Sequence, residues 1–164
     1  MQKKSIYEMI NNAIDKLYEN DNYLLNINVN EPIEDHVCER AAVFRFGIYF
    51  QEELNDSEYK EYNLDCEYNR NGRNPKILPN FEKGIYPDII LHMRGNNNYN
   101  VVALEFKGWW NKVQKIDKKK IRELINKQGE YRYQEGYTIL LTKTRNKVKV
   151  KRIIDIDNEG VERI

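Results

Sequence analysis

The stretch from Tyr86 to Trp109 constrains this chain more than any other part of it. Two apolar, β-branched runs, Asp88-Ile89-Ile90-Leu91 and Val101-Val102-Ala103-Leu104-Glu105-Phe106-Lys107, flank Gly95-Asn96-Asn97-Asn98. Gly and Asn tolerate positive φ, so the pattern predicts a β-hairpin. Whether the loop is Asn96 and Asn97 alone or all of Gly95 to Asn98, pairing is symmetric about the Asn96–Asn97 bond. That symmetry sets Asp88 directly opposite Glu105, with Cβ atoms about 4.5–5.5 Å apart. Like charges so placed weaken a sheet unless a raised pKa, a neighbouring cation or a bound metal compensates. Alternation puts Glu105 and Lys107 on one face and Val102, Leu104 and Phe106 on the other.

Two carboxylates beside one ammonium suit a particular chemistry. Mg²⁺ takes oxygen ligands, commonly one or two carboxylates, and fills its shell with waters and substrate phosphate. A cation so held polarises a phosphodiester and acidifies its own water, while a lysine orients the nucleophile or stabilises developing charge. The same residues also describe an ordinary sheet in which Lys107 neutralises two surface acids, since charged alternation on strands is common.

The 164 residues, 40% hydrophobic and 32% charged, fit one globular domain spanning 1–164 with a modest core. No repeat, low-complexity tract, membrane-length apolar run or signal-peptide pattern is present, which predicts a soluble, cytoplasmic protein without membrane partners. Cys38 and Cys66 stand in no metal or redox spacing and read as reduced and buried. His36 and His92 are too few for a histidine-metal cluster, which argues against a zinc hydrolase. Net charge is +1, but residues 1–66 hold 14 acidic and 6 basic side chains, net −8, whereas 107–152 hold 15 basic and 4 acidic, net +11. Such asymmetry fits a face prepared for a polyanion, or simply solvated lysines.

Along the chain, Ile6, Ile10, Ile14 and Leu17 predict an amphipathic helix over 3–20. Residues 23–29 suggest a short strand or extended connector. A second helix over 33–54 carries one stripe of Val37, Ala41, Phe44 and Ile48 and another of Val43, Phe46 and Phe50, the pattern of a helix packed between layers. Glu39 falls on the second stripe, where it must be paired, with Arg40 or Arg45, or coordinated. Asn63–Asn69 alternates as a strand with Asp65 and Glu67 outward. Residues 69–84 read as a long loop with Arg70, Arg73 and Lys76 available to a substrate. Trp109 and Trp110 close the hairpin, as packing groups or base-stacking platforms. Asp117 looks like the N-cap of a helix to about Gln134, with Ile121, Leu124 and Ile125 buried and Gln128 on the same stripe. Lys115, Lys118, Lys119, Lys120 and Arg122 cluster on its first turns, facing phosphates or solvent. Strands follow over 137–144 and 147–154, then a turn at Asn158-Glu159-Gly160.

This order, with Pro87-Asp88 preceding Glu105-x-Lys107 by 17 positions, resembles the PD-(D/E)xK nuclease superfamily, with a small bacterial or phage-type member as the nearest description. The resemblance covers about residues 33–144. It implies an α/β (α+β) restriction-endonuclease-like core: a central mixed β-sheet flanked by helices, in the order α-β-β-β-α-β, here with an extra N-terminal helix and C-terminal β-hairpin. It implies that Asp88 and Glu105 ligate Mg²⁺ or Mn²⁺, that the Phe106 carbonyl adds a ligand, and that Lys107 positions or activates the attacking water. Glu39 would be the further acidic residue that many members bring to the metal, and Gln128 a second-helix polar residue, although its spacing to the following tyrosines departs from the Gln-x-x-x-Tyr pattern. The expected function is metal-dependent hydrolysis of DNA, with a homodimer as one expected form. The alternatives are an RNA nuclease and a non-catalytic nucleic-acid-binding or protein-interaction module.

Overall fold

The computed structural model describes residues 3–25, 38–81, 83–111 and 115–155. Its helices are α1 (Ile6–Asn20), α2 (Glu39–Asn55) and α3 (Lys115–Ile125). Its strands are β1 (Asn63–Cys66), β2 (Arg70–Asn71), β3 (Asn74–Pro75), β4 (Ile89–His92), β5 (Val102–Gly108), β6 (Glu135–Leu141) and β7 (Lys149–Arg152). The protein is therefore α+β. Among the described residues, five strands form a mixed sheet in the order β1-β4-β5-β6-β7, and β2 pairs with β3 separately. The chain groups into two compact units, one of Met1–Glu61, Phe106–Lys112 and Ile139–Val150, the other of Tyr62–Glu105, Val113–Thr138 and Lys151–Ile164.

In the first unit, α1 starts on a capping box: Glu8 N donates to Ser5 Oγ (3.2 Å) and Ser5 N to Glu8 Oε2 (2.7 Å). Ile6, Met9, Ile10, Ala13, Ile14 and Leu17 are buried, so the predicted stripe is the packed one. The connector expected over 23–29 begins as a short 3₁₀ turn at Asn22–Leu24, and residues 26–29 lie outside the described residues.

Helix α2 departs from expectation. Val43, Phe46 and Phe50 are buried, with Phe46 tilted against Phe50 (centroids 5.5 Å) and edge-on to Phe106 (4.8 Å). Phe44 is 61% exposed and Ala41 and Ile48 are half-buried, so the first stripe is not a second packed face; Val37 lies outside the described residues. The buried arc instead widens around the second stripe through Ala42, Tyr49, Glu53 and Leu54. Glu53 is tolerated there because Lys4 Nζ (2.7 Å), Asn12 Nδ2 (2.9 Å) and Lys16 Nζ (3.0 Å) satisfy its carboxylate.

In the second unit, β4 runs antiparallel to both neighbours: Asn63↔His92 and Asp65↔Ile90 to β1, and Ile89↔Leu104, Ile90↔Ala103 and Leu91↔Val102 to β5. The last register is the predicted one from Leu91↔Val102 to Ile89↔Leu104; Asp88 immediately precedes β4, as Glu105 follows Leu104 on β5. The turn differs. Met93 bridges Asn96 around Arg94-Gly95, with Gly95 at φ +79°, and a 3₁₀ turn over Asn97–Tyr99 returns the chain before Val101 N donates to Leu91 O (2.9 Å). Apolar burial along the strands, not a symmetric loop, fixes the register.

The expected loop over 69–84 contains β2 and β3 and a Leu78↔Phe81 bridge. Its Leu78, and Ile85 just beyond it, join Ile90, Ala103, Ile121, Leu124, Ile125, Tyr131, Tyr133 and Ile153 in one core. Gly136 lets α3 approach closely, since a Cβ there would lie 2.5 Å from Ile121 Cγ2 and 2.7 Å from Ile125 Cγ2. Helix α3 stops at Ile125, well short of Gln134, because Asn126 turns the chain: Gln128 N donates to Asn126 Oδ1 (2.9 Å) and Gly129 N to Asn126 O (3.0 Å). Strands β6 and β7 realise the expected C-terminal pair, and residues 156–164, including the expected turn at 158–160, lie outside the described residues. Both cysteines are exposed, correcting the expectation that they are buried.

Candidate functional site

The register of β4 on β5 builds the carboxylate site of the second unit. Glu105 is 2% exposed, and Lys120 Nζ, from the first turns of α3, donates to its Oε2 at 2.8 Å. Its Oε1 has no hydrogen-bond partner among the described residues. Burial, reinforced by the charge of Asp88 and more weakly by that of Asp117, pushes the Glu105 carboxyl up to about 8, although Lys120 pulls it back. Two of the three compensations expected for opposed acids thus coexist, a raised pKa and a neighbouring cation. Asp88 itself is half-buried.

The first unit holds the other pair. Lys107 Nζ donates to Glu39 Oε1 (3.4 Å) and Gly108 N to Glu39 Oε2 (2.8 Å). Both side chains are about one-fifth exposed. Arg45, offered from the sequence as a partner of Glu39, instead binds Asp21 through Nε (2.8 Å) and donates to Tyr49 Oη (2.7 Å). A Cβ at Gly108 would lie 2.3 Å from the Trp110 ring, so the ring could keep its place only over glycine. Trp110 is accordingly a packing group, while Trp109 is 39% exposed with Lys143 Nζ 4.4 Å from its ring centroid.

Several positional expectations are corrected. Gln128 is exposed beyond the end of α3 and not on a buried stripe. Lys76 is 1% exposed, its Nζ lying 4.3 Å from the Tyr131 ring centroid and 5.7 Å from that of Tyr133, with burial lowering its pKa to about 8. It belongs to the core and not to a substrate-facing rim. Lys120 is spent on Glu105. Arg70, Arg73, Lys115, Lys119 and Arg122 are exposed as expected, Lys118 is half-buried, and the Phe106 ring is packed against Phe46. Asp65, assigned to an outer face, accepts from His92 Nε2 (2.9 Å) and Arg94 Nε (2.8 Å).

Sequence reasoning missed the roles of Asp117 and Lys120. The signal was present: Asp117 precedes Ile121 by four residues and Leu124 by seven, on the buried stripe, with Lys120 one turn along the same side. Reading Asp117 as an N-cap concealed it.

The chain matches no family model, no curated protein and no solved structure. Among the described residues, no helix is long and apolar enough to cross a membrane, and no group of three or more His, Cys, Asp or Glu side chains is gathered for a metal. The donor set that is present, an unsatisfied buried carboxylate oxygen on Glu105 with Asp88 opposite, fits a hard cation that takes one or two carboxylates and completes its shell with water and phosphate.

Proposed function

We propose that this protein is a divalent-metal-dependent nuclease hydrolysing DNA phosphodiester bonds, with Asp88 and Glu105 as carboxylate ligands and Lys107 assisting the attacking water. The observation that carries this reading is the buried carboxyl of Glu105, whose Oε1 has no hydrogen-bond partner among the described residues and which feels the charge of Asp88. Mg²⁺ or Mn²⁺, when bound, supplies a polarised phosphoryl oxygen and an acidified water. The remaining work falls to the chain. Asp88 supplies negative charge where a cation is wanted, and Glu105 would release, as that cation binds, the proton that burial keeps on it. The ion pair with Glu39 orients the Lys107 ammonium, so that it can donate to a water or a phosphate oxygen. Exposed Lys115, Lys119 and Arg122 on α3 offer charge to the nucleic-acid backbone. The restriction-endonuclease-like core belongs to this same reading and is supported by the element order from α2 to β6.

Cleavage of supercoiled and single-stranded circular DNA in Mg²⁺, Mn²⁺ or EDTA tests it. Wild type is expected to nick or linearise DNA only with metal, and Lys107→Ala and Asp88→Ala to fall by about 100-fold or more. No cleavage in either metal, together with no metal-dependent rise in melting temperature, would overturn the reading. One observation favours a second one: Lys120 already occupies Glu105 Oε2. On that basis the fold would bind nucleic acid without cutting it, and retained DNA binding in EDTA with no turnover in metal is the result that selects it.

A further inference from the structure

A second polar site lies in the second unit, at the far end of β4 from Asp88. His92 is 4% exposed, and its Nε2 faces the Asp65 carboxylate at 2.9 Å, which Arg94 also holds. An imidazole so engaged carries its proton on Nε2 and leaves Nδ1 as an acceptor. Nδ1 has no hydrogen-bond partner among the described residues, and His92 lines a polar cavity of about 40 Å³ together with Tyr68, Arg70, Gly72, Gly95 and Asn97. The Tyr68 ring stands edge-on to the imidazole (4.9 Å) and fixes its plane.

Charge and size narrow the ligand. The nearby acids are occupied, Asp65 by His92 and Arg94 and Glu130 by Asn71 Nδ2 (2.5 Å), while the Arg70 guanidinium on the rim has no partner among the described residues. Gly72 and Gly95 sit at positive φ with open space where a Cβ would be, so backbone on two sides of the cavity is accessible to a ligand. One ordered water needs roughly 10–15 Å³ of such space, so the cavity takes about three waters, the size of one tetrahedral oxyanion and too small for a nucleobase. We infer that this cavity is a phosphate-binding site, in which a monoprotonated phosphate or phosphomonoester donates its O–H to His92 Nδ1 and accepts from Arg70.

The site stands independently of the nuclease reading; one role for it rests on that reading. His92 ends β4 and Asp88 immediately precedes it, four positions away and about 13 Å along extended chain. A terminal phosphate anchored at His92 would set a fixed, short distance from a strand end to the carboxylate pair.

The test is titration of the full chain with inorganic phosphate in EDTA, at constant ionic strength, following the imidazole resonances by nitrogen–proton NMR. The chain has only His36 and His92, so the signals are separable. A saturable shift of His92 with His36 unmoved is expected, and Arg70→Ala, on an exposed position that does not endanger folding, should weaken it about tenfold. A His92 signal unmoved through tens of millimolar phosphate, or saturation unaffected by Arg70→Ala, would overturn the site. Oligonucleotides of one sequence ending in phosphate or hydroxyl separate the sources. Tighter binding of the phosphate-ended strand, lost in Arg70→Ala, assigns a nucleic-acid end, whereas saturation by phosphate with no end preference assigns a free small phosphate. All arms omit divalent metal, so failure of cleavage and failure of this site remain distinct.

Discussion

Glu105 is the residue on which the second unit concentrates its electrostatic cost. Its carboxyl, raised above the ordinary 4.5, keeps in the native state a proton that the unfolded chain releases. Stability from this group is therefore fully present below pH 4.5 and is lost as pH climbs toward 8, at up to about 1.4 kcal/mol per unit. Glu105→Gln should flatten that slope, so that urea midpoints in EDTA match wild type near about pH 5 and exceed it near about pH 8. An unchanged slope would show that Glu105 is ionised throughout. The opposition of Asp88 and Glu105 was legible because strand pairing converts sequence spacing into distance. Lys120 was not, since a lysine among exposed lysines carries no mark of the carboxylate it reaches. Lys76 was hidden similarly: its stretch has no period, and only the folded chain brings Tyr131 and Tyr133 over it.

Elements were legible where one face is apolar and the other polar. Helix α1 satisfies that, and its stripe is buried as read. Helix α2 does not, because aromatic residues on both sides leave the packed side undetermined, and only Phe106 and Phe50 against Phe46 decide it. The end of α3 was overrun because the asparagine turn at Asn126 competes with the helix through side-chain bonds that hydrophobic periodicity ignores. Two outcomes belong here. Burial pushes the Glu53 carboxyl up, but bonds from Asn12, Lys4 and Lys16 outweigh it and hold it at about 2. Its contribution is present above pH 4.5 and lost as pH falls through 2, and Glu53→Gln should cost about 2–3 kcal/mol at neutral pH in chemical denaturation. Gly136→Ala should cost about 1–3 kcal/mol by driving a methyl into Ile121 and Ile125, and Ile121→Ala should cost less in that background than in wild type, a coupling that a double-mutant cycle reads.

At the scale of the whole molecule, the basic surplus of residues 107–152 is divided between buried duties and solvent. Lys107 and Lys120 are engaged by Glu39 and Glu105, while Lys115, Lys119 and Arg122 stay exposed. Composition could announce the surplus but not this division, which burial alone reveals. DNA binding in EDTA should weaken steeply with salt, and replacing Lys115, Lys119 and Arg122 with alanine should reduce the log–log slope by about 2–3, as fluorescence anisotropy would show. A slope left intact would place the nucleic acid elsewhere. The tight seat of α3 on Gly136 also reaches beyond one chain. A lineage drifting at position 136 is confined to glycine until position 121 or 125 first surrenders a branch, so change at these sites should be inherited as paired steps in a fixed order.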